Sequence, residues 1–114
     1  MNALVNRVQL IGLLGQDPEV KKFDKGQLAK FSLATSETYK NNQGEKVTET
    51  QWHNIVAFGK TAEVLEKYVK KGDKIAVEGK LVTRKWQTNE GENRYSTEVV
   101  VNDILMLSNK PKNA

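Results

Sequence analysis

The 114-residue sequence has no cysteine and a single histidine. The first absence excludes disulfides, thiolate metal sites and a cysteine nucleophile. The second leaves His53 without the partners that a zinc site or a His-centred triad requires. No apolar run approaches the ~20 residues that span a bilayer, and the N-terminus lacks the basic segment and apolar stretch of a secretory signal. A cytoplasmic protein with no membrane partner is expected. The chain has only two prolines and neither repeats nor low-complexity stretches, which fits one domain large enough to bury a core without staples. Acids do not cluster at a spacing that would serve catalysis, so neither an enzyme, a metal nor a cofactor is expected.

What is present is charge of one sign in one place. The formal net charge is +4, and residues 60–86 alone hold eight Lys/Arg against four acids. Such an excess suits a polyanion, and equally a solvated surface. The cations are mostly lysines, point charges for phosphates, whereas base reading in a duplex groove favours the arginine fork.

Residues 4–14 alternate closely enough to be a strand, and Gly12 and Gly15 suggest a bend, a bulge or a close backbone approach. Asp17-Pro18 opens a charged loop to Gly26, with at most a short strand over residues 20–23. A second strand covers 28–39, with Ala29, Phe31 and Leu33 on one parity. Residues 41–44 turn it back into a third strand, 47–58. Residues 61–71 are the one helix: Ala62, Val64, Leu65, Tyr68 and Val69 are spaced for one face, Thr61 is the candidate N-cap and Gly72 the left-handed C-cap. Lys70 and Lys71 would complement its macrodipole. A fourth strand covers 74–86, with Ile75, Val77 and Leu81 inward, Glu78, Lys80 and Arg84 outward and a bend at Gly79. A fifth covers 94–107 after a polar tip at 87–93. Five coiled strands with a helix between the third and fourth match the all-β OB-fold, a five-stranded Greek-key barrel. That barrel serves oligonucleotides, oligosaccharides and proteins alike, so the site must decide its use.

Trp86 shares parity with the solvated Lys80 and Arg84 and stands beside Lys85, where a large aromatic gives up burial it could have had. Stacking on a base would contribute ~1–3 kcal/mol whichever base it is. On the third strand Trp52 and Phe58 share one parity, and His53, Ile55 and Ala57 the other. Parity alone does not say which face is the core. If the even-numbered face is outward, Trp52 and Phe58 are two ends of a stacking track. Tyr39, beside Lys40, is a fourth candidate, while Phe23, Phe31 and Tyr68 read as structural. Rings interleaved with lysines are the pattern of sequence-tolerant binding to unpaired strands.

Several blocks carry a resemblance. They are Val5-Asn6-Arg7-Val8, Leu14-Gly15-Gln16-Asp17-Pro18-Glu19-Val20, Leu33-Ala34-Thr35-Ser36-Glu37, Trp52-His53-Asn54-Ile55-Val56-Ala57-Phe58-Gly59-Lys60, Thr83-Arg84-Lys85-Trp86 and Arg94-Tyr95-Ser96-Thr97-Glu98-Val99. In this order they resemble the bacterial single-stranded DNA-binding protein family over nearly the whole chain. The resemblance implies an OB-fold over residues 1–108, a homotetramer, and cover for single-stranded DNA in replication, recombination and repair, in the nucleoid-bearing cytoplasm. It places base stacking on Trp52, Phe58 and Trp86, with Tyr39 where the family carries a Trp. Arg84, Lys85, Lys60, Lys80 and Arg7 are the candidate DNA-binding cations, and His53 matches a subunit-contact position. The family's flexible linker and acidic tip have no counterpart in residues 109–114, a short extension, so tail-mediated partners are not expected. A protein-binding OB module and an RNA-binding OB domain are the other classes the residues permit, with an enzyme last.

Overall fold

The computed structural model describes residues 4–107. Its elements are β1 (Val8–Leu14), β2 (Glu19–Phe23), β3 (Gly26–Lys40), β4 (Lys46–Phe58), α1 (Gly59–Tyr68), β5 (Lys74–Gln87) and β6 (Asn93–Met106). The extension expected over residues 109–114 lies outside the described residues. Among these, no helix is long and apolar enough to cross a membrane.

The strands form one sheet in the order β1-β5-β6-β4-β3-β2, and β1 pairs a second time, with β3, through Leu13–Ala34 and Leu14–Leu33. Strands β1, β5, β6, β4 and β3 therefore close into the five-stranded barrel of the OB-fold, with β2 stitched to the outside of β3. The pairing of β4 with β6 is parallel and short, Ile55–Val99 and Val56–Val100. By contrast the β3–β4 and β5–β6 ladders run far past the barrel as two long antiparallel arms.

Period-two burial builds the core. Ala29, Phe31 and Leu33 of β3, Ile55 and Ala57 of β4, Ile75 and Val77 of β5, and Val99 and Val101 of β6 point inward, and Ala62, Leu65 and Val69 from α1 and its end close the cluster. Removing these side chains from water is the main favourable contribution, ~1.5–3 kcal/mol for a fully buried Leu or Ile. Two glycines permit the strands to curl. A Cβ on Gly12 would collide with the Ala34 carbonyl, and one on Gly79 with the Val100 carbonyl. At Gly79 the β5–β6 register also shifts, the bulge that turns a long strand around a small barrel.

The structure corrects several boundaries. The first strand starts at Val8, not Leu4, because Asn6 substitutes its side chain for a strand neighbour: its Nδ2 donates to the Leu81 carbonyl (3.0 Å) and its Oδ1 accepts from the Leu81 N–H (2.9 Å). The short strand after Asp17-Pro18 is a full partner of β3, although only Val20 packs against the core. The helix begins at Gly59, two residues before the expected cap. Phe58 is the extended N-cap and makes no side-chain capping bond, so Thr61 lies inside the helix. It ends at Tyr68 with Val69 as C-cap, leaving Lys70 and Lys71 beyond the last turn. Gly72 is left-handed (φ 88°) but belongs to the following turn. There the Lys70 N–H donates to Asp73 Oδ2 (2.9 Å) and the Lys71 N–H to Asp17 Oδ1 (2.8 Å). Leu81 is exposed rather than inward: it still pairs with Val99 of β6, but the β1–β5 ladder has ended at Val8–Gly79, so no strand covers it on the other side. Phe31 is core, but Phe23 and Tyr68, also read as structural, are exposed.

Candidate nucleic-acid interface

The face left open by parity is settled by burial: His53, Ile55 and Ala57 turn inward to varying degrees, and Trp52 and Phe58 turn outward, 63% and 52% exposed. Val56 shares their parity yet is buried, where β6 pairs against it. Trp52 stands opposite Ala34, and its six-membered ring lies over Gly15, where a Cβ would strike Cζ3 and Cη2. Phe58 is six residues along the same strand, roughly 20 Å away at 3.3–3.4 Å per residue, where α1 begins.

On the other arm Trp86 is 48% exposed and pairs with Arg94. The next pair inward on that face is Arg84–Ser96, and the next Val82–Glu98. Arg84 grips Glu98 with two parallel bonds, Nε to Oε1 at 3.1 Å and Nη2 to Oε2 at 3.2 Å, the fork geometry that makes arginine–carboxylate pairs specific. Because β4 and β6 part after their short seam, the two arms diverge. A cavity of about 270 Å³ opens between them, lined by Gln16, Lys30, Ser32, Asn54, Ser96 and Glu98 among others. Trp52 and Trp86 stand on the arms to either side of it.

Other expected site residues are placed elsewhere. Tyr39, 45% exposed, pairs with Val47 on the parity of Phe31 and Leu33, so it occupies the opposite face of the ladder from Trp52. Its hydroxyl donates to Glu49 Oε1 at 2.9 Å, and that bond, with some burial, raises its pKa above the ordinary phenol value. Lys85 points away from Trp86, with Nζ 5.8 Å from the centre of the Tyr95 ring, a cation–π distance. Lys60 is exposed in the first turn of α1 beside Phe58, and Lys80 is exposed on β5. Arg7, ahead of β1, is held by Glu78 (Nη2–Oε2 2.7 Å). His53 is half-buried, its Nε2 2.9 Å from Thr35 Oγ1. Both arms end in the same five-residue loop. In each, the first residue exchanges backbone bonds within the loop, its side chain accepts from the fifth residue's N–H, and a left-handed glycine stands fourth: Asn41 with Gly44, Thr88 with Gly91.

Three residues of the interface escape the sequence reading. Gly15 reads as a bend, a bulge or a close backbone approach, not as the seat of a ring. Tyr95 is 63% exposed and lies in a segment where alternation marks no face. Glu98 carries a legible signal, a lone acid in the β-branched run Thr97-Glu98-Val99-Val100-Val101.

An OB barrel with two long arms, each presenting an open indole beside a cation-bearing groove, defines a class of barrels suited to flat, negatively charged polymers. Within that class the chain belongs to the single-strand binding protein family, whose model matches residues 5–107. Among solved structures it is similar to the Plasmodium falciparum SSB in complex with ssDNA, at 35% identity, over 91% of this chain and 96% of that one, with a TM-score of 0.83. It also shares the fold of a deletion mutant of the single-stranded DNA binding protein from Thermus aquaticus. That likeness has 24% identity and a TM-score of 0.79, and covers 93% of this chain and 52% of that chain, so this chain spans about half of its length.

Proposed function

We propose that this protein binds single-stranded DNA without strong sequence preference, covering it during replication, recombination and repair, and that it is not an enzyme. The observation that carries the reading is the pair of open indoles, Trp52 and Trp86, on the arms flanking one groove, in a chain whose 35%-identical relative is a complex with ssDNA. Rings take base faces that unpaired strands offer and duplexes hide, while cations follow the phosphates. Trp52, Trp86 and Phe58 are the stacking residues in this reading, with Tyr39 as a further one on the reverse face of its arm. Arg84, Lys85, Lys60, Lys80 and Arg7 supply the positive charge, and the setting is the nucleoid-bearing cytoplasm.

The active form is a homotetramer. Supporting this, the outer face of β1, β5 and β6 carries a row of pairs, Ile11–Ala76 and Ala76–Leu105, with Ile11 and Leu105 exposed, as are neighbouring Leu13 and Leu107. A second copy would remove that row from water. Light scattering should report four subunits, and Ile11→Glu should lower the count; a monomeric parent would end the tetramer proposal.

The DNA reading is tested by titrating intrinsic fluorescence with oligo-dT at two salt concentrations. Tight binding with Trp quenching, weakened by salt, is expected. Trp52→Ala and Trp86→Ala should each lose about 1–3 kcal/mol. Folded variants that bind as well as the parent would remove the stacking assignment.

A further inference from the structure

We propose that the cavity lined by Glu98 is a base-edge subsite in which this carboxylate accepts the exocyclic amine of a cytosine or an adenine; the inference rests on the single-strand reading above. A carboxylate is out of place in a groove built for a polyanion, yet Glu98 is only 7% exposed and lines the cavity at the parting of the arms. Burying such a group is unfavourable unless it is paired. Arg84 meets that requirement with one N–H to each oxygen. A carboxylate offers about four acceptor positions, so Arg84 leaves roughly half of them uncommitted.

An acceptor-only group at this point sorts what can enter. Phosphate oxygens have no proton to donate to it, whereas the amines and imines on base edges do. Among bases, thymine and uracil present the O4 acceptor where cytosine presents its N4 amine and adenine its N6 amine, and carboxylates accept from such amines. Asn54 lines the same cavity, and its amide can donate to the ring nitrogen beside the amine. The cavity, about 270 Å³, is below the ~300–1,000 Å³ of sites for drug-sized ligands, and a single planar ring is smaller than those ligands. Stacking on Trp52 and Trp86 thus holds any base, and Glu98 adds a preference at one position.

The test compares oligo-dC with oligo-dU of equal length, two pyrimidine series that differ at position 4 and not by a methyl group. The unmodified protein should bind oligo-dC about three- to tenfold more tightly than oligo-dU, the worth of about one hydrogen bond. In Glu98→Gln the ratio should fall towards one, since an amide can serve either base. Releasing Arg84 in that variant alters phosphate contacts equally for both oligomers and cancels in the ratio. A dC:dU ratio of one or less in the unmodified protein overturns the subsite without any variant having to fold, and so does an unchanged ratio in folded Glu98→Gln. If neither oligomer nor oligo-dT binds, the single-strand reading itself fails, a result distinct from the other two.

Discussion

A methyl group at position 15 would occupy the space in which the six-membered ring of Trp52 now lies, so the placement of that indole depends on a residue 37 positions away that has no side chain. Gly15 is not among the positive-φ glycines, so alanine meets no backbone penalty there and the substitution isolates the ring's position. Gly15→Ala should leave the circular dichroism unchanged and shift Trp emission. It should weaken oligo-dT binding by up to the ~1–3 kcal/mol of one stacked base. Parent-like affinity would mean that the seat over Gly15 does not matter to binding. At this scale the exposure of Trp86 was readable from the sequence, because it shares parity with the solvated Lys80 and Arg84, whereas for Trp52 and Phe58 parity left the face open and only burial decides it. The role of Gly15 was not readable, because a glycine shows what it lacks and not what fills the space. Tyr39 illustrates a different limit: proximity to Lys40 suggested a site, but alternation over the long ladder from Ala34 to Lys40 puts it on the reverse face.

Among the elements, the glycines separate into two kinds. At Gly79 the obstacle to a side chain is the Val100 backbone, whereas at Gly91 there is open space and only a left-handed φ of 87°. Gly79→Ala should therefore cost about 1–3 kcal/mol through forced backbone shifts, and Gly91→Ala about 1 kcal/mol. Urea midpoints would rank them, and the reverse order would contradict the bulge as the point where β5 turns. The helix carries the pH-sensitive pair. Lys67 Nζ donates to Glu63 Oε1 at 3.0 Å, and that bond and then the charge hold the Glu63 carboxyl below the usual range and the ammonium above its own. The Glu63 contribution to stability is thus present above the ordinary carboxylate pKa and disappears as pH falls through the lowered one. The Lys67 contribution is present below the ordinary lysine pKa and disappears as pH rises through the raised one. Carboxyl NMR of Lys67→Ala should show Glu63 titrating at higher pH, and no movement would mean that the pair does not persist in solution. The helix itself was plain in the sequence from its apolar spacing. Its start was not, since Phe58 caps it by backbone conformation alone and offers none of the usual hydroxyl or carboxylate signals.

For the molecule as a whole, element order was legible because alternation and one helical stretch survive in a chain with few breakers, and that order leaves little choice but the OB barrel. Closure was not legible: the β1–β3 and β4–β6 pairings join residues far apart through backbone groups that leave no mark on composition. Nor was the groove, which exists because β4 and β6 separate after so short a seam. That seam, Ile55–Val99 and Val56–Val100, together with Leu13–Ala34 and Leu14–Leu33, zips two extensive ladders into one cylinder. Local opening free energies follow the density of such stitching. Deuterium should therefore enter first at those amides that bond across these two joints, ahead of the amides that bond within the β3–β4 ladder around Phe31 and the β1–β5 ladder around Ile75, so the cylinder would breathe along its closures before it melts.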